Sequence, residues 1–238
     1  MTGSRFAEFI QIWRQKFGIE RSIEQGLCED AEGRPLPWYT YPAIEYLEQF
    51  DYHDKRIFEY GCGASSLFWA DRAAAVVGIE DNETWFAKWS KEFERPNLEI
   101  RLRAEGKAYE NAVFEDGCGY DVIAVDGKHR AECAAAAVKA LMPGGLIILD
   151  DSDRVNTSQD YKRAIAGLKA AGLLQVDFYG FCPMNCYTKC TSLFFHRDFD
   201  FKTLFPLQPV CGRGGLWSMS RKERKEFYKK FGMPIKKD

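Results

Sequence analysis

The sequence predicts an α/β fold in which helices cover both faces of a mostly parallel β-sheet. Five short apolar runs alternate with segments of helical periodicity between residues 55 and 154. They are RIFEY (56–60), VVGIE (76–80), LEIRL (98–102), DVIAVD (121–126) and GGLIILD (144–150). Strands that alternate with helices indicate βαβ units and hence parallel pairing. The continuous runs VIAV and LIIL are typical of central strands buried on both faces.

The segments around these strands carry helical patterns. Residues 82–93 place aromatic side chains at separations of three, four and seven, and the alanine-rich residues 131–141 end at a Pro-Gly-Gly terminator. A helix around residues 161–171 and two strands, LLQVDFYG and CTSLFFH, are expected next. Ser220 is placed to cap a last basic helix.

Three parts of the chain differ in pattern. Residues 1–54 form an N-terminal segment with an amphipathic helix and the aromatic stretch PWYTYP (37–42). Residues 55–196 form the α/β domain, and residues 197–238 form a C-terminal extension with a basic tail. We expect one domain with two flanking segments.

Bulk composition excludes several classes of protein. The chain of 238 residues is 46% hydrophobic and 29% charged, with a net charge of −2. This balance gives no overall electrostatic footprint for nucleic acid. No apolar run approaches the roughly 20 residues of a membrane span, and charges interrupt the first 18 residues where a signal sequence would lie. We expect a cytoplasmic protein, no membrane partner and reduced cysteines.

The segment FEYGCGASS (58–66) ends the first strand and opens a helix. Gly61 and Gly63 allow a tight turn and close approach of the backbone to a ligand, and the helix is expected to begin near Ser65. Glycines at such turns are common, so this segment alone is a weak signal.

Two carboxylates sharpen the prediction. Glu80 ends the second strand 21 residues after Glu59, close to the spacing expected for an acid that binds a ribose diol. Glu59 lies beside the glycine loop, where it would repel the pyrophosphate of a dinucleotide and attract a cationic amino group. Ser66 also replaces the third glycine of the dinucleotide pattern. These features favour S-adenosylmethionine over NAD.

FEYGCGAS resembles motif I of class I S-adenosylmethionine-dependent methyltransferases. DVIAVDG resembles the fourth-strand motif of that family, and LMPGGLIILDD its fifth strand. PWYTYP and the stretch from Gly180 to Ser192 are similar to a bacterial group of small-molecule methyltransferases. The resemblance covers about residues 37–196. It implies a Rossmann-like three-layer sandwich with strand order 3-2-1-4-5-7-6 and an antiparallel last strand. The residues expected to contact the cofactor are Tyr41, Glu59, Gly61, Gly63, Ser65, Glu80 and Asp126.

Acidic residues follow the fourth and fifth strands. Asp126, Asp150 and Asp151 lie at strand ends that meet at one edge of the sheet, and carboxylate oxygens suit Mg²⁺ or Ca²⁺. Metal-dependent O-methyltransferases, which this arrangement resembles, hold a divalent ion there. The competing hypothesis is that Arg130 and Arg154 neutralise these acids.

A hydroxyl acceptor also benefits from a general base. Lys128 and His129 directly follow Asp126 and are the candidate catalytic residues. The alternative is that this pair is solvated surface at the start of a helix.

The expected function is O-methylation of a small-molecule acceptor such as a sugar or a phenol. The basic tail keeps a nucleic-acid methyltransferase as an alternative, and a non-catalytic cofactor-binding subunit is another. A dehydrogenase ranks third, because of Glu59. Cys182, Cys186 and Cys190, with His196 or Cys211, could form a zinc site. Their irregular spacing favours thiols packed at strand ends.

Overall fold

A seven-stranded sheet is the centre of the computed structural model, which describes residues 2–232. The strands are β1 (Arg56–Tyr60), β2 (Ala75–Glu80), β3 (Leu98–Leu102), β4 (Tyr120–Val125), β5 (Leu141–Leu149), β6 (Leu174–Phe181) and β7 (Thr188–Phe195). Their order is β3-β2-β1-β4-β5-β7-β6, with β7 antiparallel to both β5 and β6. The predicted fold class, strand order and antiparallel last strand are confirmed.

Helices flank the sheet within the described residues. They are α1 (Thr2–Ile12), α2 (Ile19–Gln25), α3 (Tyr41–Leu47), α4 (Ala64–Ala70), α5 (Glu83–Glu92), α6 (Lys107–Glu110), α7 (Arg130–Ala140), α8 (Gln159–Ala170) and α9 (Arg221–Phe231). The predicted cap of the last helix is present, since the Ser220 hydroxyl accepts from the amide of Glu223. The end of the predicted C-terminal extension, residues 233–238, lies outside the described residues.

Strand β5 begins earlier than the sequence predicts. It begins at Leu141, whereas the predicted run begins at Gly144, so Pro143, which was expected to terminate the preceding helix, belongs to the strand. The pairing with β4 shifts register between Tyr120 and Val122, and Gly144 adopts a left-handed φ of +80°. A Cβ on Gly145 would lie 2.6 Å from the carbonyl oxygen of Asp121. The glycines therefore let an irregular segment join the strand.

The two faces of the sheet bury separate apolar clusters. One face, with Ile57 and Ile148, packs against α3, α4 and the N-terminal segment. The other face, with Ile123 and Ile147, packs against α7 and α8. Central strands covered on both sides explain their continuous apolar sequences.

The N-terminal helix is less buried than its apolar spacing suggests. Phe6 and Phe9 are 67% and 51% exposed, whereas Trp13 lies 4.6 Å from Phe17 and 5.2 Å from Phe181 between ring centroids. The aromatic packing against the sheet thus begins at Trp13. No helix within residues 2–232 combines the length and apolar character needed to cross a bilayer.

Replacing Leu146 by alanine tests the burial of the central strands. Leu146 is fully buried in β5, so Leu146→Ala should lower the free energy of unfolding by about 2–5 kcal/mol in denaturant titration. The matched control is Leu207→Ala, at a leucine that is 85% exposed, which should change it by no more than about 0.5 kcal/mol. Equal effects of the two substitutions would contradict this assignment of the core.

Candidate active site

A cavity of about 600 Å³ opens at the carboxyl ends of β1, β2, β4 and β5. Ligands bind at this edge in open α/β sheets, and the volume suits a small-molecule site. The lining residues are Gly26, Leu27, Cys28 and Trp38 from the N-terminal segment; Gly61, Cys62, Gly63, Ala64 and Ser65 after β1; Glu80, Asp81 and Trp85 after β2; Asp126, Gly127 and Arg130 after β4; Asp150, Asp151, Asp153 and Arg154 after β5; and Met184, Asn185, Tyr187, Thr188 and Lys189 at the β6–β7 hairpin.

The glycine loop after β1 lies very close to the end of β4. Gly61 has a φ of +89°, and a Cβ there would lie 2.7 Å from the carbonyl oxygen of Asp126. Both facts require glycine. Gly63 is extended, and a Cβ there would meet no described atom within 4 Å. Gly61 is therefore required by its approach to Asp126, whereas Gly63 lines open cavity space, where a close approach to a ligand stays a prediction.

Glu59 lies behind the glycine loop. It is 1% exposed, does not line the cavity, and accepts a hydrogen bond from the Ser66 hydroxyl at 2.7 Å. Burial raises the pKa of Glu59 to about 8, against the lowering effect of the Ser66 and Ser65 hydroxyls. Ser65 lines the cavity and therefore stands between it and this carboxyl. A cation bound at the loop would be separated from Glu59 only by Ser65 and would favour the ionised form of the Glu59 carboxyl.

Two further polar side chains surround Glu59. Tyr39 and Trp69 are fully buried, and the Trp69 side chain acts as a hydrogen-bonding neighbour that lowers the pKa of both Glu59 and Tyr39. Burial raises the pKa of Tyr39 well above its ordinary value, and the charges of Glu59 and Asp126 raise it further. The wall behind the loop is therefore a polar region enclosed by the apolar core.

Glu80 lies on the cavity wall at the end of β2. One carboxylate oxygen accepts from the amides of Asp81 and Asn82, at 3.0 and 2.9 Å, and the other accepts from the amide of Cys62 at 3.2 Å. Burial raises the pKa of Glu80, against the lowering effect of these amides. The side chain is thus held in one orientation beside the glycine loop.

Trp38, and not Tyr41, supplies an aromatic wall of the cavity. Tyr41 is 2% exposed, its hydroxyl donates to the carbonyl oxygen of Phe17 at 3.1 Å, and it does not line the cavity. The structure therefore places Tyr41 in the packing of the N-terminal segment, away from the expected cofactor contact. Trp38 lines the cavity and is 43% exposed.

Lys128 and His129 lie outside the cavity lining. The Lys128 ammonium contacts Asp81 at 2.6 Å and Glu105 at 3.3 Å, and these hydrogen bonds raise its pKa. The His129 ring lies 3.0 Å from Glu105 and 3.3 Å from Glu110. Both side chains thus connect loops of the sheet edge, and this geometry does not favour a role as base.

The acids after β4 and β5 are paired with cations of the chain. Asp126 accepts from Arg130 at 2.9 Å. Asp150, which is 1% exposed, contacts the ammonium of Lys189, and Asp151 contacts the same ammonium at 3.0 Å. The arginine pairing that the competing hypothesis expects is therefore present for Asp126 and, through Arg154 at 3.6 Å, for Asp151, whereas the carboxylate of Asp150 pairs with Lys189.

The structure does not support the predicted Mg²⁺ or Ca²⁺ site at Asp126, Asp150 and Asp151. Their oxygens face Arg130 and Lys189, so the donor set is already neutralised. Within residues 2–232, no group of three or more histidine, cysteine, aspartate or glutamate side chains is placed to hold a metal ion. The alternative zinc site is also unsupported there, because Cys182 and Cys190 are buried whereas Cys186 is exposed.

Two lining residues other than glycine have left-handed backbone. Asp151 has a φ of +57° and Met184 a φ of +70°. Such conformations cost energy and cluster at functional sites. Both positions belong to the half of the cavity opposite Glu80.

Sequence reasoning missed Lys189 and the contribution of Trp85. Lys189 follows the first residue of β7, within the stretch from Gly180 to Ser192 that carried the resemblance, and a lysine beside a buried strand was the available signal. The Trp85 indole donates to the carbonyl oxygen of Cys62 at 2.7 Å. The spacing of Trp85 from the other aromatic residues of its helix predicted only that it packs against them, and not that it contacts the glycine loop.

Comparisons with known proteins give matches in structure but not in sequence. No protein-family model matches the chain, and a search of curated proteins gives no match. Precorrin-6y C5,15-methyltransferase from Geobacter metallireducens GS-15 is 14% identical, with a TM-score of 0.46 over 64% of this chain and 86% of that one.

Two further solved structures are similar to this chain at comparable sequence identity and TM-score. The O-methyltransferase TomG from Streptomyces achromogenes, in complex with S-adenosylmethionine, is 15% identical, with a TM-score of 0.49 over 65% of this chain and 76% of that one. Spermidine synthase from Thermotoga maritima is 18% identical, with a TM-score of 0.49 over 67% of this chain and 61% of that one. Function has to be inferred from the site residues themselves.

Replacing Gly61 by alanine tests the close approach of the loop to β4. Gly61→Ala should lower the free energy of unfolding by about 1–3 kcal/mol, because the new Cβ meets Asp126 and the φ is left-handed. Gly63→Ala is the matched control, since its backbone is extended, and should change stability by no more than about 0.5 kcal/mol. Denaturant titration measures both, and a Gly61→Ala variant as stable as the control would rule out this loop geometry.

Proposed function

We propose that the chain is an S-adenosylmethionine-dependent methyltransferase that methylates an oxygen of a small-molecule acceptor. The observation that carries the proposal is the position of Glu80 on the cavity wall, where the amide of Cys62 holds its carboxylate beside the glycine loop. A carboxylate at the end of the second strand suits a ribose diol. Glu80 would therefore hold the adenosyl part of the donor.

Glu59 favours S-adenosylmethionine over a dinucleotide as the ligand of this cavity. Its carboxyl lies directly behind the loop that would receive either a pyrophosphate or the amino end of a methionine. A nearby ammonium group favours the ionised form of a buried carboxyl, whereas a pyrophosphate disfavours it. Glu59, separated from the cavity by Ser65, would thus favour the cationic ligand.

The opposite half of the cavity offers space for an acceptor. Trp38, Asn185 and Tyr187 line it, together with the charged residues after β5. When bound, S-adenosylmethionine supplies an electrophilic sulfonium methyl group, so the protein must mainly hold the acceptor in line with it. A cavity with walls on both sides supports an enzyme rather than a cofactor-binding subunit.

Calorimetry with S-adenosylhomocysteine and NAD⁺ tests the donor class. We expect micromolar binding of S-adenosylhomocysteine, because it presents both the ribose diol and the amino group, and much weaker binding of NAD⁺. Tight binding of NAD⁺ without binding of S-adenosylhomocysteine would overturn the proposed function.

Replacing Glu80 by alanine tests the ribose contact. Glu80→Ala should weaken the binding of S-adenosylhomocysteine by about 1.5–3 kcal/mol, the range for losing charge-assisted hydrogen bonds. Glu83→Ala, an exposed glutamate in the first turn of α5, is the matched control and should leave affinity unchanged. Circular dichroism checks that both variants are folded. Wild-type affinity in a folded Glu80→Ala variant would remove Glu80 from the site.

A further inference from the structure

The predicted metal ligands Asp150 and Asp151 contact a lysine side chain of the protein, that of Lys189. The ammonium of Lys189 contacts Asp150 and lies 3.0 Å from Asp151. The charge of Asp126 also acts on it. Lys189 is 8% exposed and still lines the cavity. It thus lies between Asp150 and Asp151, two of the three acids that were expected to bind the metal.

Hydrogen bonds fix this lysine and its partner in place. The second oxygen of Asp150 accepts from the Thr191 hydroxyl at 2.6 Å, and the same hydroxyl oxygen accepts from the amide of Thr40 at 3.0 Å. Asp150 is therefore held from both oxygens. A buried ion pair needs such additional hydrogen bonds to offset its desolvation.

Lys189 is one of three cations that contact the acids after β4 and β5. Asp126 pairs with Arg130, Asp150 with Lys189, and Asp151 with Lys189 and, at 3.6 Å, with Arg154. These three acids therefore face three cations. Burial lowers the pKa of Lys189, but attraction by Asp150, Asp126 and Asp151 outweighs burial and leaves the pKa above its ordinary value. Lys189 is a cation at neutral pH and cannot serve as a general base.

We infer that Lys189 is the built-in cation of the acceptor site and binds the reacting oxygen of an acidic hydroxyl, a phenol or an enol. This inference rests on the proposed function and narrows its acceptor. An ammonium has three donors, of which Asp150 and Asp151 take two, and within residues 2–232 no third acceptor contacts it, which leaves one donor for a ligand in the cavity that Lys189 lines. The ring of Trp38, whose centroid lies 6.0 Å from the ammonium nitrogen, provides a flat wall for an aromatic acceptor.

The chemistry of an acidic hydroxyl fits a fixed cation without a base. The hydroxyl releases its proton to solvent, and the ammonium stabilises the resulting oxyanion. The oxygen then bonds to the methyl carbon while the carbon–sulfur bond of the donor breaks, which yields a neutral ether and a neutral thioether. An aliphatic sugar alcohol, with its much higher pKa, would gain too little from one ammonium group.

A metal-binding experiment tests the position of Lys189. Lys189→Ala removes the cation between the carboxylates of Asp150 and Asp151, so the variant should bind Mn²⁺ at least about tenfold more tightly than the wild type in calorimetry. Mn²⁺ should also raise the melting temperature of the variant only. Adding Asp151→Asn to Lys189→Ala removes a ligand and should reverse the gain. Mn²⁺ affinity equal to that of the wild type in a folded Lys189→Ala variant would overturn the inference.

A second measurement uses the wild-type chain and needs no variant to fold. With S-adenosylhomocysteine bound, 4-nitrophenol should bind as its phenolate, and the visible absorption should show a lower pKa for the bound probe than for the free one. An unchanged pKa, or no binding of the probe, would overturn the role of Lys189 while leaving the donor site intact. Failure of the wild type to bind S-adenosylhomocysteine would instead reject the proposed function.

Discussion

The close approach of the glycine loop to the end of β4 is the constraint on which the rest of the site depends. The Gly61 amide donates to Ile79 in β2 at 2.8 Å, and the Asp126 amide donates to Tyr60 in β1 at 2.9 Å. The ends of three adjacent strands are thereby fixed to one another. A Cβ at Gly61 would lie 2.7 Å from the carbonyl oxygen of Asp126, so a side chain there would force this junction, next to the contact of Cys62 with Glu80, to shift. The absence of a Cβ at Gly61 therefore allows the loop and the end of β4 to form one wall of the cavity together.

Charge compensation is the second requirement, and the antiparallel direction of β7 meets it. An unpaired Asp150, buried at the end of β5, would cost several kcal/mol. Because β7 runs antiparallel to β5, its first residues lie at the carboxyl end of β5, which brings Lys189 to Asp150. A parallel strand would have placed its last residues there. The topology thus provides the partner charge that the acid needs.

The sequence predicts those features that depend on local pattern. Apolar runs and their spacing give the strands, and the distance from Glu59 to Glu80 places both carboxylates at the sheet edge. Side-chain direction and distant partners are not encoded locally. Lys128 and Tyr41 were therefore assigned to the site on position alone, and the structure shows them turned to Asp81 and Phe17. The metal hypothesis failed because no local pattern connects Lys189 to acids about 40 residues earlier in the chain.

The two halves of the cavity also differ in how the chain builds them. The half next to Glu80 comes from consecutive βα turns, whereas the half with Trp38 and Lys189 joins the N-terminal segment to the last hairpin. Thr40 makes this connection, since its amide donates to Thr191 and its hydroxyl donates to the carbonyl oxygen of Phe178 at 2.9 Å. Only non-local packing sets this second half. The proposed acceptor half therefore depends on contacts between segments that are far apart in the chain, whereas the Glu80 half depends on turns that are local in sequence.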